Sequence, residues 1–143
     1  MGKDRPGSLR VVLDTNVLIS SLHFPNGALS RIWVLLGGQV RLILSPAILS
    51  ELAEKLRGKF GWDEAELQRT LRTLVRRAVI VRPTTIPDVL PDDPDDNHII
   101  ACAVSGRADV IVSGDRDLLR LKAYEGIPIV RPMDFVRMVG GTR

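Results

Sequence analysis

The stretch Arg10-Val11-Val12-Leu13-Asp14-Thr15-Asn16-Val17-Leu18-Ile19 decides the fold. The short apolar run over 10–13 reads as a strand buried on both faces. It stops at Asp14, and residues 16–22 can open a helix with Thr15 or Asn16 as its cap. Strand-then-helix recurs along the chain. His23-Phe24-Pro25-Asn26-Gly27 is a turn by its Pro and Asn-Gly content. Residues 28–36 carry enough apolar positions to predict a helix stopped by Gly37-Gly38. Residues 40–44 form a second apolar strand. Ser45-Pro46 opens a helix with Ser at the N-cap and Pro at the first helical position, its core face being Ile48, Leu49, Leu52 and Leu56.

Asp63 caps the next helix, whose stripe Leu67, Leu71, Leu74 and Ala78 has helical spacing. A brief strand follows over 79–81. Residues 83–94 form an acidic, proline-rich loop, and Asp95 or Asp96 caps a helix through Ile99, Ile100, Ala103 and Val104. A strand over 109–112, a short helix over 118–121, a strand over 127–130 and a helix over 133–139 complete the pattern. Short all-apolar strands alternating with helices predict a parallel sheet covered by helices on both faces, the α/β class.

The 143 residues fit one domain, 10–139, large enough to fold without staples. Residues 1–9 and 140–143 are expected to be disordered. A lone cysteine, Cys102, excludes an internal disulfide framework and a Cys-rich zinc site, and Cys102 reads as core packing among Ile99, Ile100 and Ala103. No apolar run reaches the ~18–20 residues of a membrane span. The N-terminal residues lack the apolar stretch of a signal peptide, so the cytoplasm is the expected location. Net charge is +3, unevenly spread. Between Pro83 and Gly106 there is no Lys or Arg, while Asp88, Asp92, Asp93, Asp95 and Asp96 all fall there. The remainder holds 20 bases against 12 acids. A basic body with one acidic hole suits a polyanionic partner and a cation site, though a solvated loop on a basic surface would read the same.

Ligand sites in open parallel sheets lie beyond the carboxyl ends of the strands. Asp14 directly follows the first strand, Asp115 lies three residues past Val112, and Glu51 is within two turns of the second strand. The helix beginning at Asp95 or Asp96 precedes the strand over 109–112. Its first turn is expected at the opposite edge unless the long loop carries it across, so spacing leaves the fourth acid open. Converging carboxylates repel one another and raise pKa values unless a cation joins them. With Mg²⁺ or Mn²⁺ they become oxygen ligands that can clamp a phosphodiester and activate water. Each acid also has a plainer role: Asp14, Asp95 and Asp96 as helix-start residues, Glu51 as a solvated helix residue, Asp115 and Asp117 as turn residues beside Gly114.

Four motifs then fall in order: Leu13-Asp14-Thr15-Asn16-Val17-Leu18-Ile19; Glu51 after Ser45-Pro46; Asp95-Asp96-Asn97-His98-Ile99-Ile100-Ala101-Cys102-Ala103; and Ile111-Val112-Ser113-Gly114-Asp115-Arg116-Asp117-Leu118-Leu119. Together, over residues 10–136, they resemble the PIN-domain proteins, in particular the prokaryotic ones assigned as toxins of toxin–antitoxin pairs. The resemblance implies a three-layer α/β/α sandwich with a central parallel sheet. It implies metal-dependent cleavage of single-stranded RNA by metal-activated water, with Mg²⁺ or Mn²⁺ as cofactor. The family's four acids map onto Asp14, Glu51, Asp96 and Asp115 as catalytic and metal-binding residues. Asp96 is preferred over Asp95 because the family's small residues fall five and seven positions on, at Ala101 and Ala103. In this fold the acidic loop brings the third acid to the metal side. Asp95 and Asp117 are the reserves. Thr15, Asn16 and Ser113, the last at a position usually Thr, match residues that orient a carboxylate or bind substrate. An antitoxin protein and a second copy of the chain are the implied partners. A non-catalytic module of the same fold, binding RNA or an antitoxin, is the alternative.

Other features carry less. A phospho-acceptor Asp14 of the haloacid-dehalogenase type needs a second Asp where Asn16 stands. His98 reads as an exposed helix residue, Trp33 as core, and Trp62 as a possible stacking platform. Arg69, Arg72 and Arg76 line one face of their helix opposite the leucine stripe, either a solvated face or RNA-backbone contacts.

Overall fold

The computed structural model describes residues 8–140. Five parallel strands form the sheet, in the order β3-β2-β1-β4-β6, with β5 added antiparallel at the β6 edge. The strands are β1 (Leu9–Leu13), β2 (Val40–Leu44), β3 (Val79–Ile80), β4 (Val110–Val112), β5 (Ala123–Tyr124) and β6 (Ile127–Val130). The helices are α1 (Thr15–His23), α2 (Ile32–Leu35), α3 (Pro46–Gly58), α4 (Glu64–Arg77), α5 (Pro94–Ser105), α6 (Arg116–Leu121) and α7 (Pro132–Gly140). Val11, Val12 and Leu13 of β1, Leu42, Ile43 and Leu44 of β2, and all of β4 are fully or almost fully buried, as strands covered on both faces must be. From β1 the chain steps to β2 and β3 on one side, then returns to β4 and β6 on the other. α1 packs on α3 and α3 on α4, while α5 packs on β1 and β2 and α6 on β6. The β1–β2–β3 and β3–β4–β6 connections run in opposite directions, which under the right-handed rule for parallel crossovers assigns the two groups to opposite faces. The chain reverses between β1 and β4, so the crevice at their carboxyl ends is the expected ligand position.

The helix starts follow from local chemistry, with two corrections. Asp14 itself caps α1, its carboxylate accepting from Val17 N, while Thr15 and Asn16 lie inside the helix. Asp93, not Asp95 or Asp96, is the N-cap of α5, because Pro94 fills the first helical position where its missing N–H costs nothing. Ser45 and Asp63 cap α3 and α4 as their sequences require. The expected helix over 28–36 is a 3₁₀ turn, Ala28–Arg31, followed by the single α turn of α2. Only Ile32 of it is fully buried, so little apolar burial offsets a longer helix's ordering cost. Strand β5 has no sequence signal. Its hairpin turns on Glu125 and Gly126, both at positive φ, without the Asn-Gly or Asp-Gly signature.

One expectation about position also changes. Order begins before residue 10: Leu9 is in β1 and Ser8 Oγ donates to Gly38 O at 2.8 Å. Residues 1–7 and 141–143 lie outside the described residues, and Gly140 ends α7. The first turn of α5, which spacing left open, is at the carboxyl edge of β4 with Asp14 and Asp115, where the family resemblance put it. A helix that feeds a parallel strand through a short turn runs down to that strand's start, leaving its own start at the far end. Gly106 makes that turn tight: a Cβ there would meet Ile43 Cγ2 at 2.5 Å. Among the described residues no helix is long and apolar enough to cross a membrane.

Candidate metal centre

The sheet register builds the first half of the site. Leu13 is abreast of Val112, so Asp14 and Ser113 leave adjacent strands side by side. Asp14 N donates to Val112 O at 3.0 Å, and Ser113 Oγ donates to Asp14 Oδ2. The same hydroxyl accepts from Asp115 N at 2.9 Å, and Asp115 Oδ1 then accepts from Asp117 N and Leu118 N to start α6. Ser113, wholly buried, therefore locks two of the acids to each other. Burial pushes the Asp14 carboxyl above its ordinary range. The Ser113 and Val17 hydrogen bonds pull it back down, and the charge of Asp115 pushes it up again.

The acidic loop and α5 supply the second half. Buried Asn97 accepts from Val89 N and Leu90 N and donates to Leu90 O, which fastens the loop to the first turn of α5. Asp93, although the N-cap, makes no capping bond with its side chain. Asp93, Asp96 and Asp115 each offer an oxygen within 4.8 Å of the other two. Asp96 is only 8% exposed, and its Oδ2 is buried without a hydrogen-bond partner among the described residues. Burial, then the neighbouring Asp115 and Asp93 carboxyls, raise Asp96 to a pKa of about 8. A buried carboxylate with one unpartnered oxygen, grouped with two other acids, is unfavourable alone and favourable on a hard cation. The residues present fit a divalent ion.

Asp14, Thr15, Asn16, Glu51, Asp95, Asp96 and Asp115 all line one cleft of about 170 Å³. Glu51 lies outside the tight three-acid group, and both its oxygens are engaged: Oε1 accepts from Thr15 Oγ1 at 2.8 Å and Oε2 pairs with Lys55 Nζ at 2.9 Å. Asp95 is exposed at the rim, where desolvation and the charge of Glu51 raise its pKa. Asp117 is not in the cleft; it pairs with Arg120 at 3.3 Å on the surface of α6. His98 is half-buried rather than exposed and, among the described residues, belongs to no group that could hold a metal ion. Cys102 is fully buried, and its thiol is pushed up to about 12 by that burial, which leaves it inert. Trp33 is half-buried, donating to Ser21 O, and Trp62 donates to His23 Nδ1.

Sequence reasoning missed two lining residues. Asp93 was signalled by Pro94, since a proline at the first helical position makes the preceding residue the cap. Lys55 was signalled by its spacing of four from Glu51 on one helix face. The exposed guanidinium groups of Arg69, Arg72 and Arg76 lie on α4, outside the cleft. Arg69 borders a separate groove of about 580 Å³ floored by Leu22, Trp33 and Leu74.

The chain belongs to the PIN domain family, whose model matches residues 10–117. It is 37% identical over 120 residues to the uncharacterized protein MJ1680 of Methanocaldococcus jannaschii, covering 80% of this chain and 76% of that one. Among solved structures, VapBC2 of Rickettsia felis, bound to a DNA fragment from its promoter, superposes with a TM-score of 0.64 at 14% identity, over 86% of this chain and 98% of that one. The PIN domain endonuclease Utp24 gives a TM-score of 0.55 at 19% identity, over 88% of this chain and 86% of that one. These two share the fold.

Proposed function

We propose that the protein is a Mg²⁺- or Mn²⁺-dependent endoribonuclease that cleaves single-stranded RNA, acting as the toxin of a toxin–antitoxin pair in the cytoplasm. The observation that carries this reading is the buried Asp96 carboxylate, with its unpartnered Oδ2, grouped with Asp93 and Asp115 in one cleft with Asp14. A divalent ion held there would lower the pKa of a bound water and offset charge on the phosphodiester. Asp96, Asp115 and Asp93 would hold it, and Asp14 would join through lone pairs that Val17 N and Ser113 leave free. Ser113 and Thr15 keep the Asp14 and Glu51 carboxylates oriented, and Asn16 and Asp95 stand at the rim. Among the described lining residues there is no Ser, Cys or His, and the one hydroxyl, that of Thr15, is engaged with Glu51. Of the two remaining nucleophiles, water and the RNA 2′-OH, a metal-activated water is the one proposed. The non-catalytic reading leaves the cost of three converging carboxyls without a purpose.

The fold and motifs support an antitoxin protein as partner. Exposed Met133 and Met138 leave apolar surface around α7, and a second copy of the chain is proposed as partner, which light scattering at tens of micromolar would show as a dimer mass and a monomer mass would refute. Arg69, Arg72 and Arg76 are proposed to contact the RNA backbone. End-group analysis of the products tests the chemistry. Attack by water leaves a phosphomonoester at one new end and a hydroxyl at the other, and tolerates 2′-deoxy substitution at the cleaved nucleotide. A 2′,3′-cyclic phosphate, or a block by 2′-deoxy substitution, would overturn it.

A further inference from the structure

We infer that Lys55 is a phosphate-positioning residue of the cleft, an inference that rests on the nuclease reading above. Six carboxylates line the cleft, from Asp14, Glu51, Asp93, Asp95, Asp96 and Asp115, and among the described lining residues Lys55 is the one cation. A phosphodiester approaching them meets strong like-charge repulsion that one divalent ion only partly offsets. A fixed positive charge at the mouth lowers that barrier.

The geometry places Lys55 there and leaves it a free donor. Its Nζ lies 2.9 Å from Glu51 Oε2 and 3.4 Å from Asn16 Oδ1, so it bridges α3 and α1 across the rim. An ammonium has three donors. Glu51 and Asn16 take two, and the third has no partner among the described residues. The Lys55 side chain is 33% exposed against 17% for Glu51, so the ammonium lies on the solvent side of the carboxylate that holds it. That is where a strand reaching the deeper acids would pass its backbone. An ordinary exposed i, i+4 pair would not reach a second helix, and would contribute little.

The competing role is structural, with Lys55 only holding Glu51 in place. The two roles predict opposite effects on metal affinity. Removing a positive charge beside Glu51 leaves Mn²⁺ binding unchanged or tighter, whereas freeing a needed Glu51 loosens it. The experiment compares wild type, Lys55→Gln and Lys55→Arg by calorimetric titration, first with Mn²⁺ and then, on the Mn²⁺-loaded proteins, with adenosine 5′-monophosphate as a minimal phosphate probe. Lys55→Gln should weaken the monophosphate by about tenfold or more, the usual worth of a charged hydrogen bond, with Mn²⁺ affinity retained. Lys55→Arg should keep most of the phosphate affinity. With single-stranded RNA, Lys55→Gln should raise KM more than it lowers kcat. Monophosphate binding within twofold of wild type, loss of Mn²⁺ affinity in step with it, or no monophosphate binding by wild type at millimolar concentration would each overturn the proposal. If the monophosphate follows Lys55 but wild type cleaves no RNA, the substrate reading fails and the role of Lys55 stands.

Discussion

Replacing Asp96 by Asn tests whether the converging acids strain the metal-free protein. The folded carboxyl has a pKa of about 8, against an ordinary 3.8. Between those values the folded chain holds a proton that the unfolded chain has shed, so stability falls as pH rises from about 4 to about 8 and levels off above. A fully shielded group with that difference would cost roughly 5–6 kcal/mol at pH 8. The cleft is open to water, which screens the repulsion, and about 1–3 kcal/mol is the working figure. Asp96→Asn keeps the shape and removes the charge. At pH 8 its metal-free melting temperature should match or exceed wild type, by up to roughly 3–10 °C, and the fall of stability between pH 5 and 8 should flatten. Mn²⁺ at ~100 times its Kd should stabilise wild type by about 2.7 kcal/mol, and the variant by much less. Thermal melts across pH, with and without Mn²⁺, measure all three. A variant clearly destabilised at pH 8 whose Mn²⁺ stabilisation is intact would refute the reasoning and leave Asp96 as a helix-start residue of α5.

Ser113→Ala removes the hydroxyl that donates to Asp14 and accepts from Asp115 N, and should cost about 1–3 kcal/mol in urea unfolding while weakening Mn²⁺ binding. Ser113→Thr keeps the hydroxyl and should recover most of both, and an alanine variant with wild-type stability would contradict the bridge. Replacing Arg69, Arg72 and Arg76 together by Gln, in an Asp14→Asn background, should lower the salt dependence of RNA binding by about 2 in log–log slope and weaken unrelated sequences alike. An unchanged slope would make that face a solvated or partner surface.

The fold was legible because the strands that position the site are short apolar runs ending in acids: Leu13 into Asp14, and Val112 into Ser113 and, two residues later, Asp115. Periodicity and capping chemistry carry that information locally. Asp14 reads as either a cap or a site residue, and its geometry allows both: one oxygen accepts from Val17 N as the cap, the other from Ser113 at the lining of the cleft. Periodicity could not choose among five aspartates in 88–96, because their roles depend on how Asn97 fastens the loop. Pro94 is the local signal that names Asp93 as the cap, since a proline is tolerated at the first helical position. Asp115 and Asp117 differ only in direction, which the first turn of α6 decides by aiming Asp117 at Arg120. The split of residues 28–36 was invisible because its apolar residues are spaced as a helix would space them, yet only Ile32 finds a buried place.

Cleavage of a fluorescent single-stranded RNA by purified protein tests the central claim most directly. The account predicts cleavage with Mn²⁺ or Mg²⁺ that EDTA abolishes, loss in Asp14→Asn and in Asp96→Asn, and retention in Asp117→Asn. Undiminished cleavage in EDTA, or by both Asp14→Asn and Asp96→Asn, would contradict it.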